Sequence, residues 1–374
     1  MMTPAVRALM AASLLMCGLP AMAVEVTWTD TVTVDAQNAG WGRLARLPDG
    51  RWLAVTTHYP GGDITTLQLS VSTDNARTWK PLSRVAEAKR KLDNGELFVL
   101  PDGRVLLGMR SLIDGKSYRL NTYASDDQGR TWAFLSTITR NEAPAGRKDR
   151  GVWEPVFTLL DDGTLSVVYA DETRADEQPS YNQVVSQQLS KDGGHTWSPA
   201  ATIAQQPGGG LLRPGMPVMT RRPGGGYLMV LETCGEDPQC PVTYKTSPDG
   251  RTWTEGLGTP IADQRCGPHV MATSSGTMFV TSCFNEVSAS QDNGATWCHR
   301  PDSGAAPGPR YPPGAATPAP TIASRAGRMG RPHPGGPAAR RPRRGCGDVF
   351  AESGWTGCPP SPGVRPPSPP PGPR

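Results

Sequence analysis

Five copies of one short phrase run through this chain, and few folds accommodate them. They read STDNARTW at 72–79, SDDQGRTW at 125–132, SKDGGHTW at 190–197, SPDGRTW at 247–253 and SQDNGATW at 290–297. Four copies keep Ser-x-Asp-x-(Gly or Ala)-x-Thr-Trp, and the fourth in order is one residue shorter. Successive tryptophans stand 53, 65, 56 and 44 residues apart, the spacing of a propeller or another repeat array. Each phrase makes physical sense as a hairpin turn. The Asp side chain binds backbone N–H groups across the turn, the Gly takes positive φ, and the Trp packs back between sheets.

A second repeat runs in phase with the first. RLARLPDGRWLAV (43–55), LFVLPDGRVLLGM (97–109), PVFTLLDDGTLSVVY (155–169), PVMTRRPGGGYLMVL (217–231) and HVMATSSGTMFVTS (269–282) are each an apolar run, a tight turn and an apolar run. That is a β-hairpin pattern. One hairpin plus one Trp phrase makes about four strands, the size of a propeller blade. Long helical periodicity is absent beyond the first 23 residues, so the chain reads as all-β.

The ends read differently. A positive charge in 1–7, an apolar stretch at 8–19 and Ala21-Met22-Ala23 fit a signal peptide over 1–23, which places the protein in a secreted or periplasmic compartment. No other stretch is long and apolar enough to span a membrane. Export permits disulfides, and Cys234 and Cys240 flank a short loop where a bridge is expected; Cys266 and Cys283 flank the fifth hairpin and could also pair. No CxxC pair, HExxH or histidine cluster points to a metal, and none is expected.

Composition breaks near residue 299. Residues 299–374 hold 20 of the 39 prolines, with 11 Arg against 3 acidic residues and no Leu, Lys, Asn or Gln. Such a segment cannot bury enough apolar surface to offset its ordering entropy, so a disordered tail is expected. The abrupt switch to Pro, Arg, Gly and Ala is also what a shifted reading frame would produce in a GC-rich gene. Basic character therefore belongs to the tail. With no aromatic platform beside those arginines, no nucleic-acid partner is expected. The propeller is assigned to 24–298.

The repeated S-x-D-x-G-x-T-W boxes resemble the Asp-boxes, or BNR repeats, of the sialidase superfamily over about residues 40–298. That resemblance implies a six-bladed β-propeller, sialidase-like, with five blades evident and the sixth missing or degenerate. The last blade of that superfamily is joined by an N-terminal strand, which 27–34 can supply. Segments 151–172, 213–234 and 240–250 look more like the exo-α-1,5-L-arabinanase branch than like true sialidases. Gly42-Arg43-Leu44-Ala45 stands where a sialidase has Phe/Tyr-Arg-Ile-Pro.

Candidate chemistry is a carboxylate pair. Glu154, between Trp153 and Pro155, and Glu232, ending the apolar run 227–231, sit at strand edges in consecutive blades. Inner strands of a propeller converge on its axis, so the two can face each other; taken alone they read more readily as solvated strand-end glutamates. Resemblance to the arabinanase branch implies that they are the catalytic pair of a retaining hydrolase, Glu154 as acid/base and Glu232 as nucleophile. Arg43, Arg110 and Arg213 lie at hairpin ends near the pocket mouth, where arginine offers bidentate donors to a sugar. Three converging arginines would suit a sialic-acid carboxylate. Trp153 and Asp171 are further candidates to line the pocket.

The reading that results is a secreted exo-acting glycoside hydrolase on arabinan-type or related oligosaccharides, without a cofactor and monomeric. An exo-α-sialidase and a non-catalytic repeat propeller that binds glycans or proteins are the alternatives.

Overall fold

The computed structural model describes residues 32–300 apart from 62–63, 143–149, 236, 238 and 284–286, all inside the compact unit Trp28–Gly330. The expected signal peptide and the tail beyond residue 300 lie outside the described residues, and most of any sixth blade would fall there too. Of the expected closing strand at 27–34, residues 32–34 are not strand and the rest lie outside.

Five antiparallel sheets of four strands each follow one another along the described chain. The first holds β1 (Ala39–Arg46), β2 (Trp52–His58), β3 (Thr66–Ser72) and β4 (Lys80–Val85). The second holds β5 (Lys91–Val99), β6 (Val105–Ile113), β7 (Ser117–Ser125) and β8 (Ala133–Asn141). The third holds β9 (Val152–Leu159), β10 (Leu165–Asp171), β11 (Val184–Ser190) and β12 (Ala201–Ala204). The fourth holds β13 (Arg213–Arg221), β14 (Tyr227–Cys234), β15 (Pro241–Ser247) and β16 (Thr259–Arg265), and the fifth β17 (His269–Ala272), β18 (Met278–Thr281), β19 (Val287–Ser290) and β20 (Cys298–Arg300). Strands run in chain order within every sheet, so each blade is a simple meander. First strands of successive blades touch one another, β1 on β5, β5 on β9, β9 on β13 and β13 on β17, which makes them the inner rim.

Every Asp phrase bridges the third and fourth strands of its blade, on the outer side. In the second copy Ser125 Oγ donates to Asp127 Oδ1 at 2.8 Å, and the same oxygen accepts from the N–H groups of Arg130 (3.0 Å) and Thr131 (2.8 Å). Thr131 Oγ1 donates to Asp127 Oδ2 at 2.7 Å, and Gly129 N–H donates to Ser125 Oγ. These donors hold the Asp127 carboxyl down at about 2. The bonds recur at Asp74, Asp192, Asp249 and Asp292. Gly129 has φ +89°, and a Cβ there would stand 2.9 Å from Leu53 of the preceding blade, which explains the small residue.

Tryptophans of the phrases reach between blades. Trp132 Nε1 donates to Ser83 Oγ on β4, and Trp197 Nε1 donates to Ser136 Oγ on β8, each one blade back. The apolar core accordingly sits between blades. One cluster joins Leu53, Val55 and Leu67 to Leu97, Leu107 and Met109; a second joins Leu106 and Leu120 to Phe157 and Val167; the largest joins blades three, four and five.

Removing one Asp side chain strips four hydrogen bonds from one turn. Asp127→Ala is expected to lower Tm by about 3–6 °C while leaving activity per folded molecule intact. Differential scanning calorimetry with active-site titration checks both.

Candidate active site

Site residues come from one repeated irregularity in the inner strands. In β1, Trp41 and Gly42 together oppose Thr56. Asn94 and Gly95 oppose Met109, Glu154 and Pro155 oppose Tyr169, and Met216 and Pro217 oppose Leu231. Each is a β-bulge, two residues against one. The fifth blade repeats it: Cys283 N–H donates to Cys266 O and His269 pairs with Thr281, so Gly267 and Pro268 face Ser282. The first bulge residue is left-handed every time, with φ of 52° at Trp41, 49° at Asn94, 50° at Glu154, 47° at Met216 and 46° at Gly267. Four of the five are not glycine, a conformation that costs energy and gathers at functional sites. The second residue is always Gly or Pro, and Pro is tolerated because a bulge leaves its position outside the ladder. Bulges re-aim side chains, and these do so toward the inner rim.

Glu154 is the left-handed bulge residue of the third blade, part-buried, and it accepts from Met216 N–H of the fourth blade at 3.3 Å. Glu232, on β14, accepts from Gly267 N–H of the segment entering the fifth blade at 2.6 Å. Each carboxylate thus takes its backbone donor from the next blade's bulge. Glu232 pairs across the sheet with Gly215, the residue before Met216, so the two glutamates are joined through a two-residue stretch.

Their environments differ. Burial and then the negative charge of Glu232 push the Glu154 carboxyl up to about 8, against a smaller pull from Arg110. Burial also raises Glu232, but the Gly267 N–H and Arg213 oppose it. Glu232 is therefore the member that carries charge while Glu154 keeps its proton, the separation an acid and a nucleophile need.

All three sequence-derived arginines stand around this pair, and each has its own carboxylate. Arg43, buried, pairs with Glu96 at 3.4 Å and lies over the Trp41 ring. Arg110, buried, pairs with Asp93 at 3.1 Å, and its Cζ is 3.3 Å from the Trp153 ring centroid. Trp153 thereby forms a wall beside Glu154. Arg213, two-fifths exposed, pairs with Glu172 at 2.6 Å. Glu172 also accepts from Gly151 N–H at 2.6 Å, which ties the entry of β9 to the entry of β13.

Asp171 is not brought together with the others. One of its oxygens accepts from Thr173 N–H and Thr173 Oγ1, the other from Ser186 Oγ, so it holds the turn after β10. Cys234 and Cys240 are bonded to each other, as are Cys266 and Cys283. Among the described residues, Glu232, Cys234 and Cys240 set metal-type donor atoms within 4.8 Å of one another. Both sulfurs are spent on their disulfide, however, and a metal ligand must be a thiolate.

Neither Glu96 nor His269 is among the site residues expected from the sequence. Both follow a bulge, as Arg43 does: Trp41-Gly42-Arg43, Asn94-Gly95-Glu96, Gly267-Pro268-His269. Burial pushes Glu96 up to about 7 despite Arg43, while burial and the Arg43 charge push His269 down to about 3, so His269 is neutral. Aligning the five hairpin entries on their Gly or Pro would have found them.

No protein-family model matches the chain, and no curated protein matches it. Solved structures do. An α-L-arabinanase of Penicillium chrysogenum, complexed with arabinobiose, is 25% identical with a TM-score of 0.61 over 73% of this chain and 85% of that one. The GH93 α-L-arabinofuranosidase of Fusarium graminearum is 24% identical with a TM-score of 0.60, over 70% of this chain and 80% of that one. An intramolecular trans-sialidase from Ruminococcus gnavus shares the fold at 12% identity, with a TM-score of 0.52 over 70% and 83%. With its meander blades and these neighbours, the chain has the propeller fold of the sialidase superfamily and stands near the arabinanase branch of it.

Proposed function

We propose that this protein is an exo-acting, retaining glycosidase for arabinan-type oligosaccharides. The observation that carries the reading is the pair of part-buried, electrically coupled carboxylates from consecutive blades. Glu154 protonates the glycosidic oxygen as the bond to C1 breaks, and the Glu232 carboxylate attacks C1 to form a glycosyl ester. Glu154, now ionised, takes a proton from water, which attacks C1 and releases Glu232 with the anomeric configuration retained. Trp153 and Arg110 keep water from the Glu154 side, and Arg43 and Arg213 donate to sugar hydroxyls. The neighbour complexed with arabinobiose supports the substrate class. In this proposal the protein is exported after loss of residues 1–23, a sixth blade closes the ring, and it acts as a monomer.

The charge pattern favours a neutral sugar over a sialoside. Arg43, Arg110 and Arg213 are offset by Glu96, Asp93 and Glu172, and Glu154 and Glu232 come in addition. An anionic sugar would meet no unpaired cation among these residues, and burying an uncompensated charge is costly.

Glu154→Gln and Glu232→Gln are each expected to lower kcat on arabino-oligosaccharides by roughly 10²–10⁴-fold. Proton NMR of the first product should show the retained anomer; wild-type rates in both variants, or the inverted anomer, would overturn the assignment. The pH profile of kcat/KM should be a bell. Its alkaline limb falls as pH rises through about 8, where Glu154 loses the proton it must donate, and its acid limb falls as Glu232 gains one. Because the raised Glu154 makes the native state bind more protons than the unfolded chain, native stability falls with pH between the ordinary Glu range and about 8. Glu154→Gln should therefore gain Tm relative to wild type between pH 5 and pH 8, and melting curves across that range read it. Glu96→Gln, which leaves Arg43 without its carboxylate, should tighten inhibition by a uronic or sialic acid while inhibition by arabinose changes little.

A further inference from the structure

Glu232 sits against one disulfide and takes its backbone donor from the residue next to another. It lies two residues before Cys234 on β14, so the two side chains share one face of the strand. Cys234 Sγ stands 3.6 Å from Glu232 Oε1, close enough to exclude water from that side. Cys240, bonded to Cys234, stands just before β15 and offers its carbonyl to Cys266 N–H at 2.8 Å. Cys266 in turn accepts from Cys283 N–H at 3.2 Å and is bonded to Cys283. The residue after Cys266 is Gly267, whose N–H donates to Glu232 Oε2. Cys266 and Gly267 are consecutive left-handed residues, with φ of 45° and 46°. A left-handed cysteine persists only where its surroundings over-determine it, and here the bridge to Cys283 and the bond to Cys240 O do so.

We propose that the bridges Cys234–Cys240 and Cys266–Cys283 act as one clasp that positions the Glu232 carboxylate, the first packing its sulfur against Oε1 and the second aiming the Gly267 amide at Oε2. The inference rests on the reading of Glu232 as nucleophile for its catalytic consequence, though not for the positioning itself. Without the second bridge Cys266 relaxes toward ordinary φ, the Gly267 N–H turns away, and the charged form of Glu232 loses the donor that opposes its burial. A nucleophile displaced by about 1 Å costs on the order of 10²-fold in rate.

Cys298 is also disulfide-bonded, so a reductant alone acts on more than the clasp. The test therefore uses full-length Cys266→Ser/Cys283→Ser and Cys234→Ser/Cys240→Ser, with folding checked by circular dichroism. Two quantities are measured. One is kcat and KM against pH on an aryl arabinofuranoside. The other is the titration of the Glu232 carboxyl by carbon-13 NMR, its signal assigned by loss in Glu232→Gln. Expected for the Cys266/Cys283 pair are a kcat lower by roughly 10–100-fold with KM changed less than threefold. The acid limb and the carboxyl titration should both move to higher pH. If the Glu232 titration and the acid limb match wild type in both variants, the clasp does not position the carboxylate. Should Glu232→Gln keep full activity, the catalytic reading fails while the NMR titration still decides the positioning. For a variant that does not fold, wild type treated with a water-soluble phosphine under native conditions is read by the same titration, and an unmoved signal overturns the proposal.

Discussion

The left-handed bulge at the entry of every inner strand is the constraint from which the site follows. A regular strand would alternate its side chains between the two neighbouring blades and show none to the axis. Placing two residues against one breaks that alternation once per blade. The result is that Glu154, Arg43, Glu96 and His269 meet although they come from four different blades. The conformation is unfavourable for the non-glycine residues involved, and it persists because the rest of each blade is over-determined. Meander pairing fixes both flanks of the bulge, and inter-blade packing fixes the blade.

Frame and site are kept at opposite ends of the sheets. The Asp phrases lock the turn between third and fourth strands chiefly through the Asp carboxylate, and Trp132 and Trp197 each add a hydrogen bond to the preceding blade. Apolar contact lies between blades, so each of the three middle sheets buries one face against its predecessor and one against its successor. Polar chemistry is left to the inner rim, where buried carboxylates and arginines are tolerable because they are paired. Arg110 shows how closely this is done: it pairs with Asp93 beside it on the sheet and stacks on Trp153 of the next blade.

Much of the frame was legible because its signals are local. The bonds to the Asp carboxylate of each phrase all come from within eight residues, and Ser72–Asp74–Thr78 can be read off the letters. Hairpins were legible for the same reason. The site was legible only in part. Glu154 and Glu232 stood out as carboxylates interrupting apolar strands, and resemblance to a family gave them roles. Glu96 and His269 did not stand out, because their importance depends on the bulge and on burial against Arg43, neither of which composition reveals. Asp171 illustrates the converse. Its position beside Tyr169 suggested the pocket, but two hydroxyls and an amide within reach claimed its oxygens. Pairing of each arginine with a private carboxylate was likewise invisible, since Arg213 and Glu172 are separated by 41 positions and by a blade boundary.

Glu154 depends on an amide from the fourth blade and Glu232 on an amide from the entry to the fifth. Each carboxylate is therefore set partly from outside its own sector. An insertion or deletion ahead of Met216 changes the chemistry of Glu154 without touching it, and one ahead of Gly267 does the same to Glu232. Divergence in such a molecule should therefore proceed by coupled changes in adjacent sectors, so that the effect of a substitution at one rim position depends on the bulge of the blade that follows it in the chain.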